Sequence, residues 1–216
     1  MKNLIYTILL TLVAGLTACD EHEVPVDWSD KDGNIYCTDG SIIPLQELES
    51  SAKTPAGVVV KVGAETDGFQ AIVIALQDVG YHAFADTLYN ISNVTTDISA
   101  FDGKSNTAAL LVEYVEEPKL CPSAAIKASS YNASGITGWH LPSVAELKAA
   151  NNAVVQAALR QVGEPFDTDW YVTSTVDGTS SETAVNYNYC VSMTEGRVVS
   201  SIKTESHKVR PFLMVK

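Results

Sequence analysis

Gly138-Trp139-His140-Leu141-Pro142-Ser143-Val144-Ala145-Glu146-Leu147 is the segment on which the fold turns. Ser143 followed three residues later by Glu146 has the form of a capping box. In that arrangement the serine hydroxyl accepts from the glutamate backbone N–H, and the glutamate side chain accepts from the serine N–H. Two donors that a helix start leaves without partners are thereby satisfied. The spacing predicts a helix from Ser143, with Val144, Leu147, Val154, Ala158 and Val162 as its apolar stripe. Gly163 and Pro165 end it. Trp139, Leu141 and Pro142 lead into this helix, so the tryptophan is expected in the core and Glu146 is expected to cap.

Outward from this helix the periodicity changes. Val58 to Val62 and Ala71 to Leu76 are β-branched and apolar runs with the length of buried strands. Residues 80–106 are rich in Asp, Asn, Ser, Thr and Gly and read mostly as loop. Thr107 to Val115 and Ser123 to Asn132 carry helical spacing. Val185, Tyr187, Tyr189, Val191 and Met193 alternate with Asn186, Asn188, Cys190 and Ser192, which predicts a half-buried strand. Thr194-Glu195-Gly196 turns it back through Arg197 to Ile202, and Val209 to Val215 closes the chain as a strand. Strands at both ends around central helices imply an α+β domain of antiparallel sheets with two or three helices, its two ends meeting in one sheet.

The N-terminus reads as an export signal. Lys2 precedes an apolar run from Leu4 to Leu16, 13 residues long. A membrane-spanning helix takes roughly 20. Leu16-Thr17-Ala18-Cys19 then has the form of a bacterial lipobox, with Cys19 as the lipidated residue. The organisation expected is a signal peptide over 1–18, a lipidated N-terminus and polar linker over 19–32, and one domain over 33–216. Asp20-Glu21-His22-Glu23 after the anchor resembles the surface-export signal of Bacteroidetes lipoproteins, which favours the outer membrane and its cell-surface face. Net charge is −12, and removing Lys2 with residues 1–18 leaves −13. Such a surface argues against nucleic acid and anionic lipid as partners. With Cys19 lipidated, Cys37, Cys121 and Cys190 remain; a Cys121–Cys190 bridge and three free thiols are both open.

Four segments in order carry a family resemblance. The Gly138–Leu147 stretch resembles the G-W-x-L-P-[ST]-x-x-E-L signature of bacterial lectin-like domains of unknown function, with His140 where arginine is usual. Tyr36-Cys37-Thr38-Asp39-Gly40 with Gly57-Val58-Val59 is similar to the family's opening. Trp170 to Thr175 is similar to its W-S-S-T element. Glu195-Gly196, Lys203 and Val209-Arg210-Pro211 are similar to its ending. The resemblance covers roughly 33–216 and implies a C-type-lectin-type fold, related to formylglycine-generating enzymes and found in surface lipoproteins, adhesins and fimbria-associated proteins.

The residues themselves offer little chemistry. The family's calcium-and-sugar motifs are absent, and Glu117-Pro118-Lys119 puts a cation where a ligand amide belongs. Asp30, Asp32, Gly33, Ile35 and Asp39 fall at EF-hand positions, but Trp28 occupies the first ligand position and cannot ligate. No histidine pair at metal spacing, nucleophile elbow or phosphate loop occurs. No metal, cofactor or catalytic residue is therefore expected. Trp170 is expected in the core. Asn186, Tyr187, Asn188 and Tyr189 are the candidate ligand contacts, since Asn and Tyr make adaptable binding surfaces. The function expected is a metal-independent binding or adhesion module for a glycan or protein, with an accessory subunit of a surface appendage as the alternative.

Overall fold

The computed structural model describes residues 32–64, 66–116 and 120–216. The expected signal peptide, Cys19, all of the expected 19–32 linker but Asp32, Trp28, Asp30 and Glu117–Lys119 lie outside the described residues. The chain begins with β1 (Ile35–Cys37) and β2 (Ile42–Ile43), then a 3-10 turn at Leu45–Glu47 and α1 (Leu48–Ser51). It continues through β3 (Pro55–Val62), β4 (Ala71–Ala75), β5 (Tyr81–Ala83), α2 (Gly103–Glu116), α3 (Ser123–Ser129) and β6 (Trp139–His140). Next come α4 (Val144–Ala150), α5 (Ala153–Val162), β7 (Trp170–Val176) and α6 (Ser181–Asn186). β8 (Tyr187–Ser192), β9 (Val198–Ile202), β10 (Ser206–Lys208) and β11 (Phe212–Val215) complete it. The fold class is α+β, as expected, but with six α-helices among the described residues rather than two or three.

One sheet has the strand order β2-β1-β3-β4-β11-β6 and is antiparallel throughout. The first and last strands of the described chain thus share a sheet. The second sheet runs β5-β10-β7-β8-β9, with one parallel pairing between β10 and β7. Successive β3 residues feed two cores, as the period of two requires. Val58 and Val60 face a cluster with Ile72, Ile74, Leu147, Leu159, Tyr171 and Val191, whereas Val59 faces a second with Val73, Trp139 and Leu213. A third cluster joins α2 and α3 to the far face of the second sheet through Leu110, Ala125, Val172 and Cys190. β3 starts at Pro55, earlier than the Val58 expected. Gly57 explains this: a Cβ there would lie 2.4 Å from Val73 Cγ1, so only glycine lets β3 approach β4 this closely.

The helix expected from Ser143 to Val162 is two helices. Asn152 interrupts it, accepting from the Val154 and Val155 N–H groups at 3.0 and 2.9 Å and capping α5. An Asn side chain offers the backbone this alternative to continuing a helix. The new helix is rotated, so Val154, expected on the apolar stripe, is 57% exposed while Val155, Ala158 and Leu159 turn inward. The 80–106 segment contains β5 and the start of α2. Cys37, Cys121 and Cys190 are all free thiols, which resolves the open alternative between bridge and thiols.

Candidate functional site

The Gly138–Leu147 motif forms an internal clamp. Ser143 N–H donates to Glu146 Oε2 at 2.8 Å and the Ser143 hydroxyl accepts from Glu146 N–H at 3.3 Å, so the capping box is present. The serine hydroxyl also donates to the Ala100 carbonyl at 2.8 Å. Trp139 is buried, and its indole N–H donates to the Ile136 carbonyl at 3.0 Å. Leu141 N–H donates to the Thr107 hydroxyl at 2.9 Å. Ser174 N–H donates to the Pro142 carbonyl at 2.7 Å, and Val144 N–H donates to the Thr175 hydroxyl at 3.1 Å. The Gly138–Leu147 and Trp170–Thr175 segments are therefore two halves of one joint. Trp170, at the start of β7, packs against the third core cluster as a half-buried residue, with the Arg197 guanidinium 5.9 Å from its ring.

His140 and Glu146 form a fully buried pair, with His140 Nε2 3.2 Å from both carboxylate oxygens. Gly103, which opens α2, presses on this carboxylate; a Cβ there would lie 2.2 Å from Oε2. Lys203 and Arg210, the basic residues of the closing segment, are fully buried too. Lys203 donates to the carbonyls of Tyr89 and Ala184 at 2.9 and 2.7 Å, and burial lowers its pKa to about 8. Arg210 pairs with Asp78 and donates to the Glu164 carbonyl at 2.9 Å. These cations tie loops to the sheets and are not placed to meet a ligand.

The segment expected to carry ligand contacts does not present them on one surface. α6 occupies Ser181–Asn186, started by a Ser180–Thr183 capping box, so Asn186 ends a helix. Asn188 is buried, its amide donating to the Tyr189 carbonyl at 3.0 Å. Tyr187 and Tyr189 are half-buried, and the Tyr189 hydroxyl donates to Asp177 at 3.1 Å. β8 sits between two cores, so it has no wet face on which asparagines converge. The Ser180–Thr183 spacing is the signal that marks this helix in the sequence.

Metal chemistry finds no cluster either: among the described residues, no three His, Cys, Asp or Glu side chains are grouped to hold an ion. Asp39, one of the EF-hand positions, accepts from Ser41 N–H and hydroxyl and from Lys53 at 3.0 Å, which holds its carboxyl below the usual range. Among the described residues, no helix is long and apolar enough to cross a membrane.

Three surface features stand out. The first is the free edge of β9. Ser192 N–H donates to the Arg197 carbonyl and Lys203 N–H to the Asn186 carbonyl. With the β8–β9 register, alternation then turns the backbone groups of Val198 and Ser200 outward, away from β8. This five-residue edge, Val-Val-Ser-Ser-Ile, carries no charge. The second is the outer face of α2, where Ala108, Val112 and Val115 are exposed at successive helical turns. It continues into a groove of about 350 Å3 where Phe101, Ala108 and Met214 alternate with polar residues, Lys104 and Lys216 among them. The third is a polar groove of about 500 Å3 between the α3–β6 and α5–β7 connections, lined by Gln77, Tyr131, Asn132, Ser134, Gly163 and Glu164 among others.

No family model matches the chain, and no curated protein does. Among solved structures it is similar to a fimbrial protein from Bacteroides ovatus, with a TM-score of 0.65 and 19% sequence identity. The match covers 84% of this chain and 48% of that protein, so this chain spans about half its length. The likeness is one of fold.

Proposed function

We propose that this protein is an accessory subunit of a cell-surface appendage, held at the outer membrane through a lipid on Cys19. The observation that carries this is the fold it shares, over 84% of its length, with a fimbrial protein. Two surfaces suit assembly. The uncharged β9 edge offers unpaired backbone groups to a neighbouring strand, where edge strands are ordinarily shortened or charged. The exposed apolar face of α2 is the kind of patch that marks a contact between proteins. The adhesion reading finds no support at Asn188 and Tyr189, whose side chains bond within the molecule.

The test is fractionation of producing cells after mechanical shearing. The protein is expected in the sheared appendage fraction together with larger subunits, and Cys19→Ala is expected to release it from the membrane. Ser200→Pro removes one outward N–H of β9 and leaves the β8 pairing in place, so a folded protein that no longer co-fractionates with appendages is expected. Recovery of the wild type solely in an appendage-free fraction would overturn the assignment.

A further inference from the structure

The appendage reading makes no use of the polar groove between the α3–β6 and α5–β7 connections. We propose that this groove binds a neutral saccharide, with Tyr131 as the ring surface and Gln77, Asn132, Ser134 and Glu164 as hydroxyl partners. Its volume of about 500 Å3 falls within the range of roughly 300–1,000 Å3 usual for small-ligand sites. Its polar groups are unspent. Among the described residues, no side-chain hydrogen bond engages Gln77, Ser134, Glu164 or the Tyr131 hydroxyl; Asn132 uses only its Oδ1, which accepts from Gly135 N–H at 2.6 Å. An aromatic ring beside amides, a hydroxyl and a carboxylate matches the two surfaces of a sugar, an apolar ring face and a rim of hydroxyls.

Both walls are fixed before any ligand arrives. On one side Tyr131 stands edge-to-face against buried Trp139, centroids 5.1 Å apart, and Ala133 bridges to Ile136. On the other, Glu164 N–H donates to the Leu76 carbonyl at 2.8 Å while Arg210 holds the Glu164 carbonyl. Gly163 makes the floor, where a Cβ would lie 2.8 Å from the Leu76 oxygen. Rigid walls lower the ordering cost of binding.

The lining also discriminates among ligands. Its charged side chain is the Glu164 carboxylate, and the cation behind it, Arg210, is buried and paired with Asp78, so an anionic sugar is repelled.

The full-length protein, applied in chelator to an array of neutral, sialylated and sulfated oligosaccharides, tests this. Saturable binding confined to neutral glycans is expected. Titration of the best neutral oligosaccharide should show affinity at least tenfold weaker for Gln77→Ala and for Glu164→Ala, both exposed side chains, at unchanged melting temperature. Asn186→Ala should bind as the wild type does. Absence of neutral-glycan binding, a preference for anionic glycans, or affinity retained in both groove variants would each overturn the proposal. None of these outcomes bears on the appendage assignment, which is read from sheared cells.

Discussion

Around Glu146, single side chains set the electrostatics of the interior. Its carboxylate lies at the joint of α2, α4 and β6, touching the Ser143 N–H and His140 and covered by Gly103. Asp102, next in the chain to Gly103, feels that charge. Burial, reinforced by Glu146, pushes the Asp102 carboxyl up to about 6 from an ordinary 3.8. A folded state that binds this proton more tightly than the unfolded chain loses stability as pH rises from about 4 to about 6. Asp102→Asn keeps an acceptor for the Asn106 amide and removes the charge. The variant is expected to be more stable than the wild type at pH 7 by about 1 kcal/mol, allowing for solvent screening at a half-buried site. At pH 4 the difference should vanish. Urea denaturation at both pH values checks this; an equal or less stable variant at pH 7 would contradict it.

At the level of elements, Asn152 decides that α4 and α5 are separate helices. Its side chain takes two N–H groups at the start of α5, so Asn152→Ala is expected to cost about 1 kcal/mol of stability in chemical denaturation. A cost near zero would mean that packing alone sets the break. This element also shows where legibility in the sequence ends. The Ser143–Glu146 cap was readable because both partners sit within one turn. The Asn151-Asn152 pair was equally local, but it reads as the polar face of a continuing helix until the direction of the second apolar stripe is known. β3, β4 and the β8–β9 hairpin were legible as runs and alternations. β5, three residues long, was not, because its pairing with β10 joins residues far apart in the chain. Tyr187 and Tyr189 alternate with Asn188 as expected, but alternation says only that two faces differ. Which face is wet depends on what covers each, and here cores lie on both sides. The polar groove was illegible for a related reason: Gln77, Tyr131–Ser134 and Gly163–Glu164 come from three distant loops.

Across the whole molecule, three packed clusters bury the interior, and none of the described cysteines is bridged. Cys37 and Cys190 sit within them, and burial raises both thiols, that of Cys190 to about 12. Cys121 is partly exposed. Of these three, Cys121 alone is expected to react with iodoacetamide under native conditions, the other two joining after denaturation. Peptide mapping by mass spectrometry distinguishes the cases; native labelling of Cys190 would mean that the second sheet opens readily. The same architecture accounts for the motif residues that the family resemblance picked out. Trp139, Glu146, Lys203 and Arg210 are all buried, and each joins elements distant in sequence. They mark the joints of the scaffold, while the surfaces proposed for assembly and for saccharide lie elsewhere.

The placement of β11 bears on how the protein comes into being. Residues Phe212–Val215 fill the slot between β4 and β6. A ribosome or a secretion channel delivers the chain from its N-terminus, so this slot stays empty until Phe212–Val215 has emerged. In that interval the wholly apolar segment Ala71–Ala75 has one edge without a partner. Unpaired apolar strands are where nascent chains aggregate. β4 is thus the strand whose pairing is completed across the longest stretch of chain, and its apolar edge waits for Phe212–Val215.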